Sequence, residues 1–232
     1  MTGRVIAITG ASGVLGSVLA RAAADQGYRV ALIDHAPVTP PDLVSACGAG
    51  VVDLPGTDLT SPDAAASAIA RLMAATGRLD VLVNVAGGFV WQTTEDGDPA
   101  TWDRLHALNL KTALNTSRAA LPHLKASPEG RIINIGANAA LKSAAGMGAY
   151  GASKAGVHRL TEGLAEELKS SRVTVNAVLP SIIDTPANRA DMPDADFSAW
   201  IAPSDLASVI LYLASEGARA VTGALIPVTG RV

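Results

Sequence analysis

Along the chain, short runs of β-branched apolar residues alternate with longer stretches whose apolar positions recur every three or four residues. The runs predict strands at 4–9, 29–33, 51–52, 79–84, 131–135, 173–179 and 224–227. The longer stretches predict helices over 14–26, 63–75, 102–124, 150–169 and 203–214. Strict β-α-β alternation with apolar strand cores argues for an α/β fold, a parallel sheet of about seven strands with helices on both faces. No linker, repeat or low-complexity tract interrupts the pattern, so residues 1–232 read as a single domain. The longest irregular stretch, 181–202, exceeds an ordinary connection and is expected to serve as a lid over a substrate.

Composition narrows the partners. The 232 residues are 49% hydrophobic and 17% charged with a net charge of −3, which leaves no basic footprint for nucleic acid. The one cysteine, Cys47, excludes an internal disulfide framework and fits a reducing cytoplasm. The first strand begins almost at once, so no signal peptide is expected, and no apolar run is long enough to span a bilayer. His35, His106, His123 and His158 do not pair at metal-ligand spacing, so no metal is expected. The expected protein is cytoplasmic and acts on a small molecule.

Sheets of this kind bind ligands beyond the carboxyl ends of their strands, where the strand order reverses. The first such turn is Thr9-Gly10-Ala11-Ser12-Gly13-Val14-Leu15-Gly16. Its glycines permit close backbone approach to a pyrophosphate, and the following helix offers free N–H groups to the anion. Asp34 closes the second strand, where a carboxylate accepts from ribose hydroxyls and repels a 2′-phosphate. That favours NAD(H), with NADP(H) as the second choice because His35 beside it offers a weak phosphate contact. Asp58 is a further candidate, for the adenine. Asn84, Ala86 and Gly87 end the fourth strand, where small residues let the nicotinamide ribose pass. Asn109 lies inside a predicted helix, either as a structural hydrogen-bonder that distorts it or as the holder of an active-site water.

Tyr150 and Lys154 stand four apart on the next helix and share one face. An ammonium near a phenol favours the phenolate, so the tyrosine pKa is expected to fall and the group to exchange protons near neutral pH. On a bare Y-x-x-x-K this would be a surface pair. Combined with Thr9-Gly10…Gly16, Asn84-Val-Ala-Gly87, Asn109 and Pro180…Thr185, the chain resembles the short-chain dehydrogenase/reductase family over essentially its whole length. The resemblance implies a Rossmann-type doubly wound sheet and a nicotinamide-dependent oxidoreductase. It implies Tyr150 as acid/base and Lys154 as ribose holder that tunes it. Asn109 supports a water relay, and Pro180 and Thr185 lie on the carboxamide end of the cofactor.

One departure bears on the substrate. Ala137, thirteen residues before Tyr150, stands where most of the family carries a serine that hydrogen-bonds the substrate carbonyl. Asn138 or Ser143 replaces that donor, or the substrate does not need it. The quinonoid dihydropteridine reductase branch lacks this serine, and 136–141, 146–158 and 184–200 resemble it. Phe89 and Asn109 depart from that branch. Aromatic residues make up only 3% of the chain, yet Phe89, Trp91, Phe197 and Trp200 fall on predicted carboxyl-edge segments, where a flat ring could stack. The alternative for Phe197 and Trp200 is that they only pin the lid. The leading reading is an NADH-dependent reductase of a quinonoid dihydropterin or similar ring. The second is a reductase of small ketones or 3-oxoacyl thioesters, in which Ala137→Ser would raise activity. The third is a cofactor-binding sensor without turnover. Helices 102–124 and 150–169 are apolar on more than one side, which with the family habit predicts a homodimer or homotetramer. A sedimentation mass of one chain would remove that prediction.

Overall fold

The computed structural model describes residues 3–232 and contains one seven-stranded sheet, every pair parallel, in the order β3-β2-β1-β4-β5-β6-β7. The strands are β1 Val5–Thr9, β2 Arg29–Ile33, β3 Val52–Leu54, β4 Val81–Asn84, β5 Arg131–Ile135, β6 Thr174–Pro180 and β7 Leu225–Val228. The helices are α1 Val14–Asp25, α2 Pro41–Ala46, α3 Pro62–Thr76, α4 Ala100–Leu105, α5 Thr112–Ala126, α6 Gly148–Glu167, α7 Pro186–Asp191 and α8 Pro203–Ala214. The order reverses between β1 and β4, which opens a crevice at their carboxyl ends.

Period-two alternation sends successive strand residues into two separate cores. Ile6 and Ile8 pack with Leu15 and Leu19 of α1 and with Leu206 and Ile210 of α8. Val5 and Ala7 pack with Ile69 and Leu72 of α3, Leu124 of α5 and Leu164 of α6. Each fully buried Leu or Ile contributes about 1.5–3 kcal/mol, so a register slip of one residue would invert both faces and is excluded. Local signals set the helix ends. Ser61 caps α3 by accepting from Ala64 N–H at 3.3 Å, and Gly77 stops it in the left-handed region at φ 71°.

The sequence pattern misses three features. The predicted helix 102–124 is interrupted by a π-helical stretch, His106–Lys111, between α4 and α5. The widened turn brings Asn109 inward, where its amide is bonded on both sides. Two short helices, α2 and α7, lie in segments without helical periodicity, and each starts on a proline. The stretch 181–202 is not irregular: it holds α7, a 3₁₀ turn at Phe197–Ala199 and a parallel bridge between Ile183 and Ile201. No helix among the described residues is long and apolar enough to cross a membrane. Among the described residues no three His, Cys, Asp or Glu side chains cluster as metal ligands.

Candidate active site

A cleft of about 420 Å³ opens at the strand-order reversal, lined among others by Gly10, Asp34, His35, Asp58, Thr60, Ala86 and Gly87. Six residues singled out from the sequence thus meet at one crevice. Gly10 has a φ of +63°, and a side chain there would lie 2.9 Å from the Ala86 backbone. Gly16 is pressed so closely on the Gly10 carbonyl that no Cβ fits. Asp34 fixes the turn from across the cleft, accepting from Ser12 N–H at 2.8 Å and from Ala36 N–H at 2.8 Å. Each carboxylate oxygen therefore keeps one lone pair for a ligand hydroxyl. Ser12 Oγ is buried with no hydrogen-bond partner among the described residues. Val14 is exposed at the start of α1, whereas Leu15 turns into the core, so only its N–H faces an anion. The Asp58 carboxyl is held below its usual range by the Thr60 hydroxyl and N–H, and Thr60 was not legible in the sequence.

Asn84 serves the cleft from beneath. Its amide donates to Ser117 Oγ at 3.0 Å and Asn134 Oδ1 at 2.8 Å, and Asn134 continues the chain to Thr161. This buried relay locks β4 to β5, α5 and α6; the Asn84 side chain donates inward, not to a cofactor. Thr9 Oγ1 accepts from both Val85 and Ala86 N–H at 3.0 Å and thereby shapes the loop after β4.

Beside the crevice, α6 presents Tyr150, Lys154, His158 and Thr161 along one stripe. The Tyr150 hydroxyl makes no hydrogen bond to the described residues, while burial pushes it up to about 12. Lys154 is 5% exposed and donates to the Ile135 carbonyl at 2.7 Å; burial pushes its ammonium down to about 8. The expected lowering of the tyrosine is therefore not observed. Burial disfavours the charged form of each group. Asn109 accepts from Gly88 N–H at 2.8 Å and donates to Gly88 O at 3.1 Å and Ser153 Oγ at 2.9 Å. A side chain at Gly87 would stand 2.6 Å from Asn109 Oδ1 and 3.4 Å from Lys154 Nζ. Through these bonds Asn109 sews the loop after β4 to α6, next to Lys154.

The ring of Phe89 meets Tyr150 edge-on at 5.0 Å and 86°. Trp91 Nε1 donates to Ala145 O at 3.1 Å and its indole fills the space left by Gly146, which docks the two loops around the mouth of the site. Phe197 and Trp200 pair with each other at 4.8 Å, with the Arg189 guanidinium 4.7 Å from the Phe197 ring. Trp200 is 8% exposed and Phe197 half-buried, so the pair packs on its own segment. Pro180 ends β6 buried, and Thr185 caps α7 by accepting from Asn188 N–H at 3.1 Å, which leaves its proton to donate. Of the two residues offered as substitutes at Ala137, Ser143 already donates to Ala139 O at 3.1 Å. The Asn138 amide has no protein partner among the described residues and is half-buried at the start of the adjoining 3₁₀ turn.

The model of the short chain dehydrogenase family matches residues 4–196. The chain belongs to the short-chain dehydrogenase family. This short-chain dehydrogenase is 32% identical to D-beta-hydroxybutyrate dehydrogenase of Rhizobium meliloti, over 96% of each chain. It is also 32% identical to acetoacetyl-CoA reductase of Acinetobacter sp., covering 98% of this chain and 96% of the relative. The 3-ketoacyl-(acyl-carrier-protein) reductase of Brucella melitensis, solved with NADH, superposes with a TM-score of 0.89 at 26% identity, covering 99% of this chain and 98% of that one. Carveol dehydrogenase of Mycobacterium avium, solved with NAD, gives 0.88 at 27% identity over 99% and 97%. The quinonoid dihydropteridine reductase branch suggested by Ala137 does not appear among these relatives. The short-chain dehydrogenase cleft fits a dinucleotide on its own evidence: two glycines that a Cβ would block, an orphaned Ser12 hydroxyl and a carboxylate with free lone pairs.

Proposed function

We propose that this short-chain dehydrogenase is an NAD(H)-dependent reductase of a 3-oxoacyl thioester or a similar small β-oxo compound. The observation that carries the reading is the Tyr150 hydroxyl, without a hydrogen-bond partner among the described residues and one helical turn from a buried Lys154. The names of the hydroxybutyrate, acetoacetyl-CoA and 3-ketoacyl relatives support the substrate class. Gly10, Ser12, Gly13, the N–H groups of Val14, Leu15 and Gly16, and Asp34 would hold the cofactor, with Ala86, Gly87 and Thr185 toward its nicotinamide end. Asp34 favours NAD(H) because a 2′-phosphate would meet a carboxylate. When bound, the nicotinamide supplies a hydride to the carbonyl carbon.

The chain's own part is proton and position. Tyr150, protonated throughout the neutral range, donates to the oxygen as the alkoxide develops, a downhill transfer because an alkoxide is the stronger base. Lys154 places a positive charge beneath the site, and Asn109 keeps Gly88 and Ser153 registered against it. Asn138 supplies the hydrogen bond that Ala137 lacks. Phe89 and Trp91 form an apolar wall, and 181–202 covers the opposite side.

A second reading, reduction of a quinonoid ring, is favoured by Ala137 and by the Phe89 edge on Tyr150, since such an acceptor concentrates no charge on one carbonyl oxygen. In either reading the chain pairs with a second copy through the faces of α4, α5 and α6, where Trp102 and Leu114 are exposed.

The Tyr150→Phe variant tests the assignment. Loss of the proton donor should lower kcat by about a thousandfold while NADH affinity stays unchanged. Undiminished turnover in the variant would remove Tyr150 from the mechanism.

A further inference from the structure

The carboxyl end of β5 is gripped by three successive side chains of α6. Thr161 Oγ1 accepts from Asn134 Nδ2 at 2.9 Å, Lys154 Nζ donates to Ile135 O at 2.7 Å, and His158 Nε2 accepts from Ala137 N–H at 3.3 Å. The residue that follows β5, Gly136, has no side chain, and a Cβ there would stand 2.6 Å from His158 Nε2. Its own N–H is bonded to Val178 O at 2.9 Å. The backbone from 134 to 137 is thus fixed on one side by β6 and on the other by α6. His158 is 2% exposed, and no step assigned above uses it.

The bond to Ala137 has a chemical condition. An imidazole nitrogen accepts only when it carries no proton, so this contact exists only with His158 neutral. What it holds is the start of the Asn138–Ala140 turn, whose Ala140 N–H bonds back to Ala137 O at 3.1 Å. That turn carries Asn138. We propose that neutral His158 is a positioning residue for the reduction: it holds Ala137 and the Asn138 turn where the substrate oxygen is presented to Tyr150. The inference rests on the reading of Tyr150 as proton donor to a carbonyl.

Burial, then Arg159 and Lys154, lower the His158 pKa from its ordinary value. Both cations sit on its own helix. Gly136 and Leu179, which the strands set against the imidazole, carry no charge, and neither does the 3₁₀ turn. Asp103 and Arg104 of α4 and His106 and Lys111 of the π-helical stretch are the titratable groups of the other elements packed on α6, and none of them shifts it. A lowered folded pKa makes the neutral form persist through neutral pH and be lost only as pH falls below the ordinary histidine range.

Two measurements on the full-length protein test this. In the first, the Ala137 amide resonance of isotope-labelled protein is followed against pH beside the His158 ring signals. The two should titrate together in the wild type, and the Ala137 amide should stop moving in His158→Gln, whose amide oxygen accepts but does not titrate. An Ala137 amide indifferent to the imidazole overturns the proposal whatever the substrate proves to be. In the second, kcat for NADH-dependent acetoacetyl thioester reduction is measured from neutral to acid pH. The wild type should lose about tenfold per unit below the His158 pKa, and His158→Gln should lack that limb with its KM for NADH unchanged. An acid limb that survives in His158→Gln overturns the catalytic consequence. Coupled titration without thioester turnover in the wild type would instead overturn the substrate reading and leave the held turn standing.

Discussion

At the scale of single residues, burial sets the protonation of the proposed catalytic pair. The Tyr150 phenol is pushed up to about 12 and the Lys154 ammonium down to about 8. The protonated phenol suits reduction, whereas alcohol oxidation needs the phenolate and is suppressed near neutrality. Initial rates measured in both directions over alkaline pH should show reduction holding until about pH 8 and then falling as Lys154 loses its charge. Oxidation should climb throughout. A phenol titrating near neutrality, with oxidation already at its plateau there, would contradict this account. Stability carries the same signature. Between about 8 and 10.5 the unfolded chain keeps a proton on Lys154 that the folded one has lost, so its contribution to stability rises with pH there. Tyr150 acts in the opposite sense above 10.0, where the unfolded phenol ionises first. The residue-level sites were legible where spacing alone places them. Tyr150 and Lys154 share a helix face, and Gly10 and Asp34 end adjacent strands. The direction of the tyrosine shift was not legible, because desolvation depends on what the rest of the fold stacks over the group.

Elements are held in register by polar groups at the opposite edge of the sheet. Asp80, 1% exposed at the entry to β4, accepts from Val5 N–H at 2.8 Å, Arg78 Nε at 2.9 Å and Nη2 at 2.7 Å, and Ser127 Oγ at 2.6 Å. Burial works to raise its pKa, but the Arg78 and Ser127 side chains and the Val5 N–H together hold it below the usual carboxylate range. One carboxylate therefore ties β1, β4 and the end of α5. Asp80→Asn puts an amide donor against a guanidinium and a hydroxyl that already donate, and should cost about 2–4 kcal/mol. A urea midpoint lowered to match, with turnover per folded molecule unchanged, is expected. A midpoint unmoved would show that the four bonds contribute nothing net. The five long helices and the first six strands could be read from apolar pattern because each buries an apolar face, whereas β7 shows only an apolar run and has no fully buried residue. The π-helical stretch could not, because it is set by one Asn109 amide reaching Gly88 and Ser153, residues far away in sequence. Short α2 and α7 have too few turns to show a period.

For the whole molecule, the distinction between cofactor and substrate explains what the sequence reveals of function. The cofactor crevice is built from backbone turns at the reversal of strand order, and its glycines and Asp34 lie at the ends of strands that the apolar pattern places. The proposed substrate mouth is assembled from Phe89 and Trp91 after β4, Ala137 and Asn138 after β5, and Tyr150 on α6, and no spacing rule links them. Ala137, the resemblance of 184–200 and the aromatic residues pointed toward quinonoid substrates, and the structure pairs two of those rings, Phe197 and Trp200, with each other. The most direct measurement is the initial rate of NADH oxidation with an acetoacetyl thioester, run beside NADPH and beside chemically generated quinonoid dihydropterin. The account predicts thioester turnover with NADH well above that with NADPH or with the pterin. Turnover confined to the pterin, or a preference for NADPH, would contradict it.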